Sequence, residues 1–500
     1  MNKLQKRINI PQWSVLLVAS LIFYGFTNYI YLLYLAISSL VSYGAAIMSQ
    51  YEIFKLTVTE DDAELKIAPY KAESSIERKR YEKIVTALSI IINAGVLIVL
   101  KYFNFFSGTV GGIFKFNALT YNFIIPLGIS FYTFSLIAYN IDVYKRETEA
   151  EMNPLKFLLF VAYFPKILQG PISSYDKLKE DGLFDSHRFE DNDYLKSLFR
   201  ISVGLIKKIA IANVLNLYVN ASYANIDKTY GVALIVTSFL YTIQIFTDFS
   251  GFADITIGIS GLFGIKLEEN FDVPYISSSL SEFWRRWHMT LGRWLRKYIY
   301  IPLGGNRVPL WKWVINILIV WLVSGLWHGA NWTFILWGLF NGIVLVIEGL
   351  PRQLQKKKDI TPTIKKQNQL IDALKTAGTL CLINAGWILF RSANIKEAAT
   401  FIWRMIQIWS PSSYSVFADP SISKANGLLF VSSILIGMLI VMKAAENNKD
   451  TIFVKFKKSE TVITISKFAI TVIFFSISLF VFLYLNSIGG GESSFIYFDF

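Results

Sequence analysis

Long apolar stretches recur along this 500-residue chain, and they constrain its fold more than any other feature. A helix needs about 20 apolar residues to cross the hydrocarbon core of a bilayer. Roughly ten to twelve segments meet this length. They lie near 13–48 (two helices), 83–101, 119–140, 154–169, 196–221, 230–265, 311–327, 332–350, 374–391, 424–443 and 461–486. The sequence therefore predicts an all-α, polytopic transmembrane protein that forms one membrane domain over residues 1–500.

The net charge of +13 is concentrated in the connections between these segments. Two lysine clusters stand out: Lys356, Lys357, Lys358, Lys365 and Lys366, and Lys449, Lys455, Lys457 and Lys458. Short basic loops stay on the cytoplasmic side and contact anionic membrane lipid. We expect a further cytoplasmic loop at 49–82. The basic residues form no separate module, so nucleic-acid binding is not expected.

Cys381 is the single cysteine, so an internal disulfide is excluded. The chain also lacks the cysteine and histidine spacing that is typical of zinc sites. We therefore expect no metal site.

His328 stands at the end of a long apolar run, within the sequence WLVSGLWHGANW (321–332), and the chain has only three histidines. An ionisable side chain at membrane depth is a candidate functional residue. Imidazole is also the side chain best suited to transfer a proton near neutral pH. The pattern predicts acid/base chemistry inside the bilayer, with Asn331 a candidate to line the surroundings of His328. His187 lies among charged residues of a polar connection and is interpreted as solvated.

The segment 270–310 combines tryptophan with arginine and is too charged to cross lipid alone. At helical spacing one apolar face forms, opposite a basic face. The apolar face contains Trp284, Trp287, Leu291, Trp294 and Leu295, and the basic residues are Arg285, Arg286, Arg293, Arg296 and Lys297. This pattern predicts an interfacial or re-entrant helix. The guanidinium groups either anchor it to headgroups or bind an anionic donor such as a nucleotide phosphate.

Asp248 and Asp254 are carboxylates within another apolar segment, so each must face protein or a wet cavity. Six residues apart, they fall on different helix faces unless Gly251 breaks the helix. Structural hydrogen bonding and the orientation of a catalytic group both remain open.

Several motifs in order along the chain resemble the bacterial branch of the membrane-bound O-acyltransferase family. They are IPLGISF (125–131), GPI (170–172), DFSG (248–251), NF with PY (270–271 and 274–275), WRRWH (284–288), YIPLGGNR (300–307) and WHGA (327–330). One difference from the branch is Lys166, where an uncharged residue is more usual.

The resemblance implies a set of helices around a central funnel, with His328 as the catalytic base and His288 as a second functional position. His288 would position the acyl group, share in proton transfer or fix the re-entrant segment. The implied donor is a cytoplasmic acyl thioester, either acetyl-CoA or an acylated carrier protein, and no cofactor is expected. The candidate residues for donor and substrate binding are Trp284, Arg285, Arg286, Arg293, Asn306, Arg307, Asp248 and Asn331.

The last segment, 487–500, ends in FIYFDF at 495–500. It resembles a carboxy-terminal aromatic motif, Phe-x-Tyr-x-x-Phe, of acyl-exporting members of this branch. The resemblance implies that Tyr497 accepts the acyl group and passes it outward. An interfacial aromatic belt is the alternative interpretation.

Together these features favour an enzyme of the bacterial cytoplasmic membrane that transfers an acyl group, most simply acetyl, to hydroxyls of a cell-envelope polysaccharide. The resemblance implies an extracytoplasmic SGNH-type transferase as partner. Three alternatives remain: D-alanyl transfer to teichoic acid from a carrier protein, a transporter of a lipid-linked saccharide, and a structural scaffold. The last two predict that function survives His328→Ala.

Overall fold

A computed structural model describes residues 10–52, 68–69, 76–186, 191–357, 369–412, 414–447 and 460–487. These residues are mainly helical, and the strands among them are two residues long: β1 (Tyr51–Glu52) pairs antiparallel with β2 (Ala68–Pro69). The predicted all-α, polytopic membrane fold is thereby confirmed. Two compact units make up the chain: Met1–Phe189 with Phe263–Glu268, and Glu190–Leu262 with Glu269–Phe500.

The first unit contains seven helices among the described residues. They are α1 (Gln12–Thr27), α2 (Tyr29–Gln50), α3 (Ile76–Phe114), α4 (Ile129–Tyr144), α5 (Pro154–Ala162), α6 (Phe164–Ile167) and α7 (Tyr175–Glu180). Because α3 begins at Ile76, the polar loop predicted at 49–82 is shorter than expected at its carboxy-terminal end. The remainder of that loop, 53–67 and 70–75, lies outside the described residues.

The second unit has twelve α-helices in the part of the chain that the structure describes. They are α8 (Asp191–Leu205), α9 (Asn213–Ala224), α10 (Gly231–Leu262), α11 (Leu280–Arg286), α12 (Met289–Leu295), α13 (Leu310–His328), α14 (Trp332–Lys357), α15 (Gln369–Arg391), α16 (Ile395–Met405), α17 (Pro420–Ser423), α18 (Asn426–Asn447) and α19 (Glu460–Ser487). Wider π-helical segments follow α8 at Ile206–Ala212 and α12 at Arg296–Tyr300.

Seven helices among the described residues are long and apolar enough to cross a bilayer. They are Tyr29–Gln50, Ile76–Phe114, Gly231–Leu262, Leu310–His328, Trp332–Gln355, Gln369–Arg391 and Phe468–Ser487. Two shorter apolar helices, Gln12–Thr27 and Asn426–Ile440, also occur among the described residues. Some of the roughly ten to twelve predicted segments are not single long helices, because apolar runs do not reveal where a helix breaks. The run at 154–169, for example, divides at Tyr163 into α5 and α6.

Lys166, the residue that differs from the family pattern, lies on α6 and is buried within the first unit. Its ammonium nitrogen lies 4.3 Å from the centre of the Phe160 ring, which is a cation–π contact. Burial lowers the pKa of this amine to about 7. The lysine side chain is therefore part of an aromatic core that also includes Tyr139 and Tyr175.

Glycines allow the helices of the second unit to approach backbone to backbone. A Cβ at Gly325 of α13 would lie 2.3 Å from the Phe334 carbonyl oxygen, and one at Gly338 of α14 would lie 2.4 Å from the Trp321 carbonyl oxygen. Helices α8 and α10 meet similarly at Gly204 and Gly251. Small residues at such crossings are typical of membrane helices, whose association depends on close packing.

We predict that Gly338→Ala destabilises the protein, because its Cβ overlaps the Trp321 carbonyl oxygen. Overpacking of this kind costs about 1–3 kcal/mol. The matched control is Gly378→Ala on α15, where a Cβ meets nothing within 4 Å. Thermal unfolding of the detergent-purified protein, followed by tryptophan fluorescence, should show a lower Tm for Gly338→Ala alone. Equal Tm values for the two variants would contradict the proposed helix contact.

A buried pair of histidines as the candidate active site

His328 is the last residue of α13, and its side chain is 5% exposed. Aromatic side chains surround its ring, and we call Trp327, Phe334, Trp337 and Phe390 the aromatic shell. The ring centres of Trp327, Trp337 and Phe390 lie 4.9, 5.0 and 5.1 Å from that of His328, all at steep interplanar angles. Such edge-to-face contacts place the imidazole in a dry and well-packed environment.

The residue after His328 must be small, because the Phe334 ring packs against it. A Cβ on Gly329 would lie 2.3 Å from the ring of Phe334. Only glycine therefore lets Phe334, in the first turn of α14, approach the end of α13 and complete the aromatic shell. The Gly325 contact one turn earlier brings the same two helices together.

His288 lies between α11 and α12, in a break that the predicted apolar face did not reveal. Trp287 is extended, and His288 adopts the left-handed backbone conformation with φ 45° and ψ 52°. The segment before the break pairs with the chain at 270–272 through an antiparallel bridge between Phe271 and Trp287. The predicted single helix is thus two short helices, because this pairing replaces the helical hydrogen bonds.

The His288 side chain is 3% exposed and contacts polar and aromatic neighbours. Its Nδ1 lies 3.4 Å from the Oδ1 of Asn270, and the Phe249 ring packs edge-to-face against the imidazole at 4.7 Å. Burial lowers the pKa of His288 to about 3. The ring is consequently neutral at physiological pH.

Trp327 brings the two histidines into one site. Its ring centre lies 5.8 Å from that of His288 and 4.9 Å from that of His328. Two imidazoles from elements 40 residues apart in the sequence therefore contact the same indole. The sequence predicted both histidines as functional residues, and the structure brings them together.

Trp284 packs into the aromatic core beside this site. Its ring contacts Trp321 at 4.7 Å and Trp337 at 5.5 Å, and its Nε1 donates a hydrogen bond to Asn341. Trp337 also belongs to the aromatic shell of His328. Trp284 thus packs against the aromatic shell from within the core. The sequence, in contrast, predicted that Trp284 binds the donor or the substrate.

The arginines of the predicted basic face are more exposed than the two histidines. Arg286 is half-buried and forms an ion pair of 2.8 Å with Glu282, one helical turn earlier. Glu282 has a lowered pKa because it accepts a backbone hydrogen bond from Ser278 and lies near Arg286. Four further candidates for donor binding have exposed side chains: Arg285, Arg293, Asn306 and Arg307. These side chains are accessible, whereas the imidazoles lie in the interior.

Asn331 has hydrogen bonds that account for its position at the start of α14. Its Oδ1 accepts from the backbone N–H of Thr333, and its Nδ2 donates to the carbonyl of Ala393. The first bond is that of a helix N-cap residue, and the second ties the start of α14 to the chain that follows α15. They fix the loop that directly follows His328 and Gly329.

Asp248 forms a buried ion pair with Lys208 at 2.5 Å, and its side chain is almost fully buried. Asp254 pairs with Lys207 and Arg200 at 2.6 and 3.0 Å. Helix α10 runs unbroken through Gly251, so the alternative of a broken helix is wrong. Both carboxylates nevertheless reach α8 and its π-helical extension, because lysine and arginine side chains are long.

Asn270 and Trp327 were missed as functional candidates by sequence reasoning. Both occur in the family-like motifs, but the sequence gives no sign that Asn270 contacts His288, 18 residues away. The acyl relay at Tyr497 and the solvated state of His187 lie outside the described residues. The same holds for the lysine cluster at 449–458 and for Lys358, Lys365 and Lys366 of the other cluster.

The chain is similar in sequence to a known protein family and to several named proteins. The model of the membrane-bound O-acyltransferase family matches residues 146–374. The Azotobacter vinelandii protein named "Probable alginate O-acetylase AlgI" is 37% identical over 64% of this chain and 61% of its own length. The Helicobacter pylori protein named "Peptidoglycan O-acetyltransferase" is 33% identical over 79% of this chain and 73% of its own length.

A more distant similarity connects the chain to the Streptococcus thermophilus protein named "Teichoic acid D-alanyltransferase". The two are 29% identical over 48% of this chain and 60% of that protein. The match to the Pseudomonas aeruginosa alginate relative covers 64% of its length. The chain thus spans less than two thirds of the length of both alginate relatives.

We predict that Asp248→Asn is strongly destabilising, because it leaves the buried Lys208 ammonium without its carboxylate. Breaking a buried pair in this way costs about 3–5 kcal/mol. The double variant Asp248→Leu with Lys208→Met removes both charges and should recover most of the lost Tm. Asp372→Asn is the matched control, since its pair with Lys375 is exposed and worth about 1 kcal/mol or less. A wild-type Tm for Asp248→Asn would refute the buried pairing.

Proposed function

The chain belongs to the membrane-bound O-acyltransferase family, and from this premise we propose that it transfers an acyl group to hydroxyls of a cell-envelope polysaccharide. The observation that carries the proposal is the convergence of His288 and His328 on one indole inside a multi-pass membrane protein. Acetyl is the simplest group, because the relatives named as acetylases are 33–37% identical to this chain. The proposed location is the cytoplasmic membrane of a bacterium.

In the proposed reaction His328 acts as general base. A hydroxyl is a weak nucleophile until its proton is removed, and neutral imidazole accepts a proton near pH 7. The activated oxygen attacks the acyl carbonyl, the new C–O bond forms, and the C–S bond of the thioester breaks. The thiolate leaves and is protonated by the imidazolium. His288, neutral and held beside Trp327, orients the reacting groups.

The donor in this proposal is a cytoplasmic thioester, either acetyl-CoA or an acylated carrier protein. Both carry phosphate, and the exposed residues Arg285, Arg293 and Arg307 offer guanidinium groups that bind phosphate well. An extracytoplasmic SGNH-type transferase is the proposed partner that completes the transfer to the polymer.

The proposal also requires that the reacting groups reach His328, whose ring is almost fully enclosed by the aromatic shell. We infer that the shell opens when substrate binds, with rotation of Phe334 or Phe390 as the smallest movement that would expose the imidazole. A closed shell between turnovers keeps water from the base.

We predict that His328→Ala abolishes acylation of the envelope polymer, because loss of a general base lowers a rate by about 10²–10⁴-fold. The measurement is mass analysis of envelope polymers, with base-labile acyl groups quantified, from cells that carry wild-type or variant protein. His187→Gln is the matched control and should retain acylation.

The same measurement separates the alternatives. Release of D-alanine in place of acetate would support D-alanyl transfer to teichoic acid. Acylation that persists in His328→Ala would reject the enzyme and leave the transporter and the scaffold, neither of which needs the imidazole.

For Tyr497 we propose a relay role, in which its phenol oxygen accepts the acyl group as an ester before the polymer does. A phenol has a pKa of about 10 and needs a base to become nucleophilic. Membranes incubated with a radiolabelled acyl donor should yield protein carrying an acid-stable, hydroxylamine-labile label. Tyr497→Phe should lose this label, whereas the control Tyr484→Phe should keep it. Label that is retained in Tyr497→Phe would exclude the relay.

A further inference from the structure

The geometry points to Asn270 as a positioning residue that fixes the proton of His288 on Nδ1 and keeps Nε2 as a hydrogen-bond acceptor. This inference deepens the proposed function, because it assigns a defined chemical state to the second imidazole of that site. It rests on two features: the backbone pairing that holds both residues, and the orientation of one amide group.

Backbone pairing holds the two residues face to face. The N–H of Met289 donates to the carbonyl oxygen of Asn270 at 3.0 Å, and the N–H of Asp272 donates to the carbonyl oxygen of Arg286 at 2.9 Å. These bonds enclose His288 in its left-handed conformation. A residue other than glycine is strained in this region and persists there only where its surroundings enforce the conformation.

The orientation of the Asn270 amide follows from a neighbour that can only donate. The backbone N–H of Thr290 lies 3.2 Å from Oδ1 of Asn270, and the Thr290 hydroxyl lies 2.7 Å from the same atom. A backbone N–H cannot accept a hydrogen bond, so the atom it faces must be the amide oxygen and not the amide nitrogen. Asn270 is fully buried, and no water competes for this arrangement.

The same oxygen determines the tautomer of His288. Oδ1 lies 3.4 Å from Nδ1 of the imidazole. An oxygen that can only accept requires Nδ1 to carry the hydrogen, and a neutral imidazole has only one N–H. Nε2 is therefore the nitrogen with the lone pair. It is buried, and no hydrogen-bond partner for it occurs among the described residues.

An unprotonated Nε2 can act as a hydrogen-bond acceptor for a group of the substrate during acyl transfer. It can accept a hydrogen bond from a second hydroxyl of the acceptor sugar and thereby hold the hydroxyl that His328 deprotonates next to the acyl carbonyl. The opposite tautomer would present N–H at this position and could not accept that hydrogen bond. Asn270 touches neither reactant in this scheme and acts through His288.

¹⁵N NMR spectroscopy of the full chain measures the tautomer directly. The protein is labelled with ¹⁵N-histidine and placed in lipid nanodiscs, and it gives signals from only three histidines. Spectra of His187→Gln and His328→Gln assign these signals. Protonated and bare ring nitrogens differ widely in ¹⁵N chemical shift. We expect a protonated Nδ1 and a bare Nε2 for His288 in the wild type.

Variants at 270 and 290 make the test specific. Asn270→Leu removes the acceptor and should give a mixed or reversed tautomer, whereas Asn270→Asp keeps an oxygen there and should retain Nδ1–H. Thr290→Val should also retain it, because the backbone N–H still orients the amide. In acyl transfer, we expect Asn270→Leu to lower kcat at least tenfold with KM unchanged, and Asn270→Asp to restore part of the loss.

Three results would overturn the inference: a proton on Nε2 in the wild type, an unchanged tautomer in Asn270→Leu, or loss of Nδ1–H in Asn270→Asp. If Asn270→Leu does not fold, the wild-type spectrum and Asn270→Asp decide the question. Failure of the proposed function is distinguishable from these results. Wild-type protein that transfers no acyl group but shows Nδ1–H in the spectrum would reject the reaction and leave the positioning role of Asn270 intact.

Discussion

The contact between α13 and α14 at Gly325 and Gly338 determines where the central imidazole can lie. Membrane helices gain little from excluding lipid, so their association depends on close packing. Two glycines let the backbones approach, and Gly329 then admits Phe334 beside His328. The aromatic shell is a direct result of this approach, since its members come from α13, α14 and α15. A side chain larger than hydrogen at these glycines would separate the helices and open the shell.

The segment around His288 must satisfy its backbone groups at the point where the helix stops. A buried N–H or C=O group without a hydrogen-bond partner costs about 1–3 kcal/mol. The chain at 270–272 provides partners for the break around His288, and Glu348 of α14 accepts hydrogen bonds from the N–H groups of Leu280 and Ser281 at the start of α11. The strained conformation of His288 is thus stabilised by tertiary hydrogen bonds.

The sequence predicts the parts of this arrangement that depend on local pattern. Apolar length identifies the long helices, and a rare histidine at the end of an apolar run identifies His328 as a candidate. His288 is a candidate only through the resemblance of its motif to the family. The break at His288 is not predictable from the apolar face, because helical spacing does not record pairing with residues 18 positions away. Asn270 is missed for the same reason. The roles of Asp248 and Asp254 are not predictable from the sequence, since their ion pairs with Lys208 and Lys207 depend on how the π-helical extension of α8 meets α10.

The two imidazoles differ in their surroundings, and this difference bears on how a transferase avoids hydrolysis. His288 faces an amide oxygen that orients its ring, whereas aromatic edges enclose His328 and leave it 5% exposed. An activated acyl group reacts with whichever hydroxyl reaches the base first, and bulk water is far more abundant than a sugar alcohol. A dry site strengthens electrostatic interactions and excludes that competitor. In the proposed reaction, the burial of His328 therefore favours transfer to an alcohol over hydrolysis.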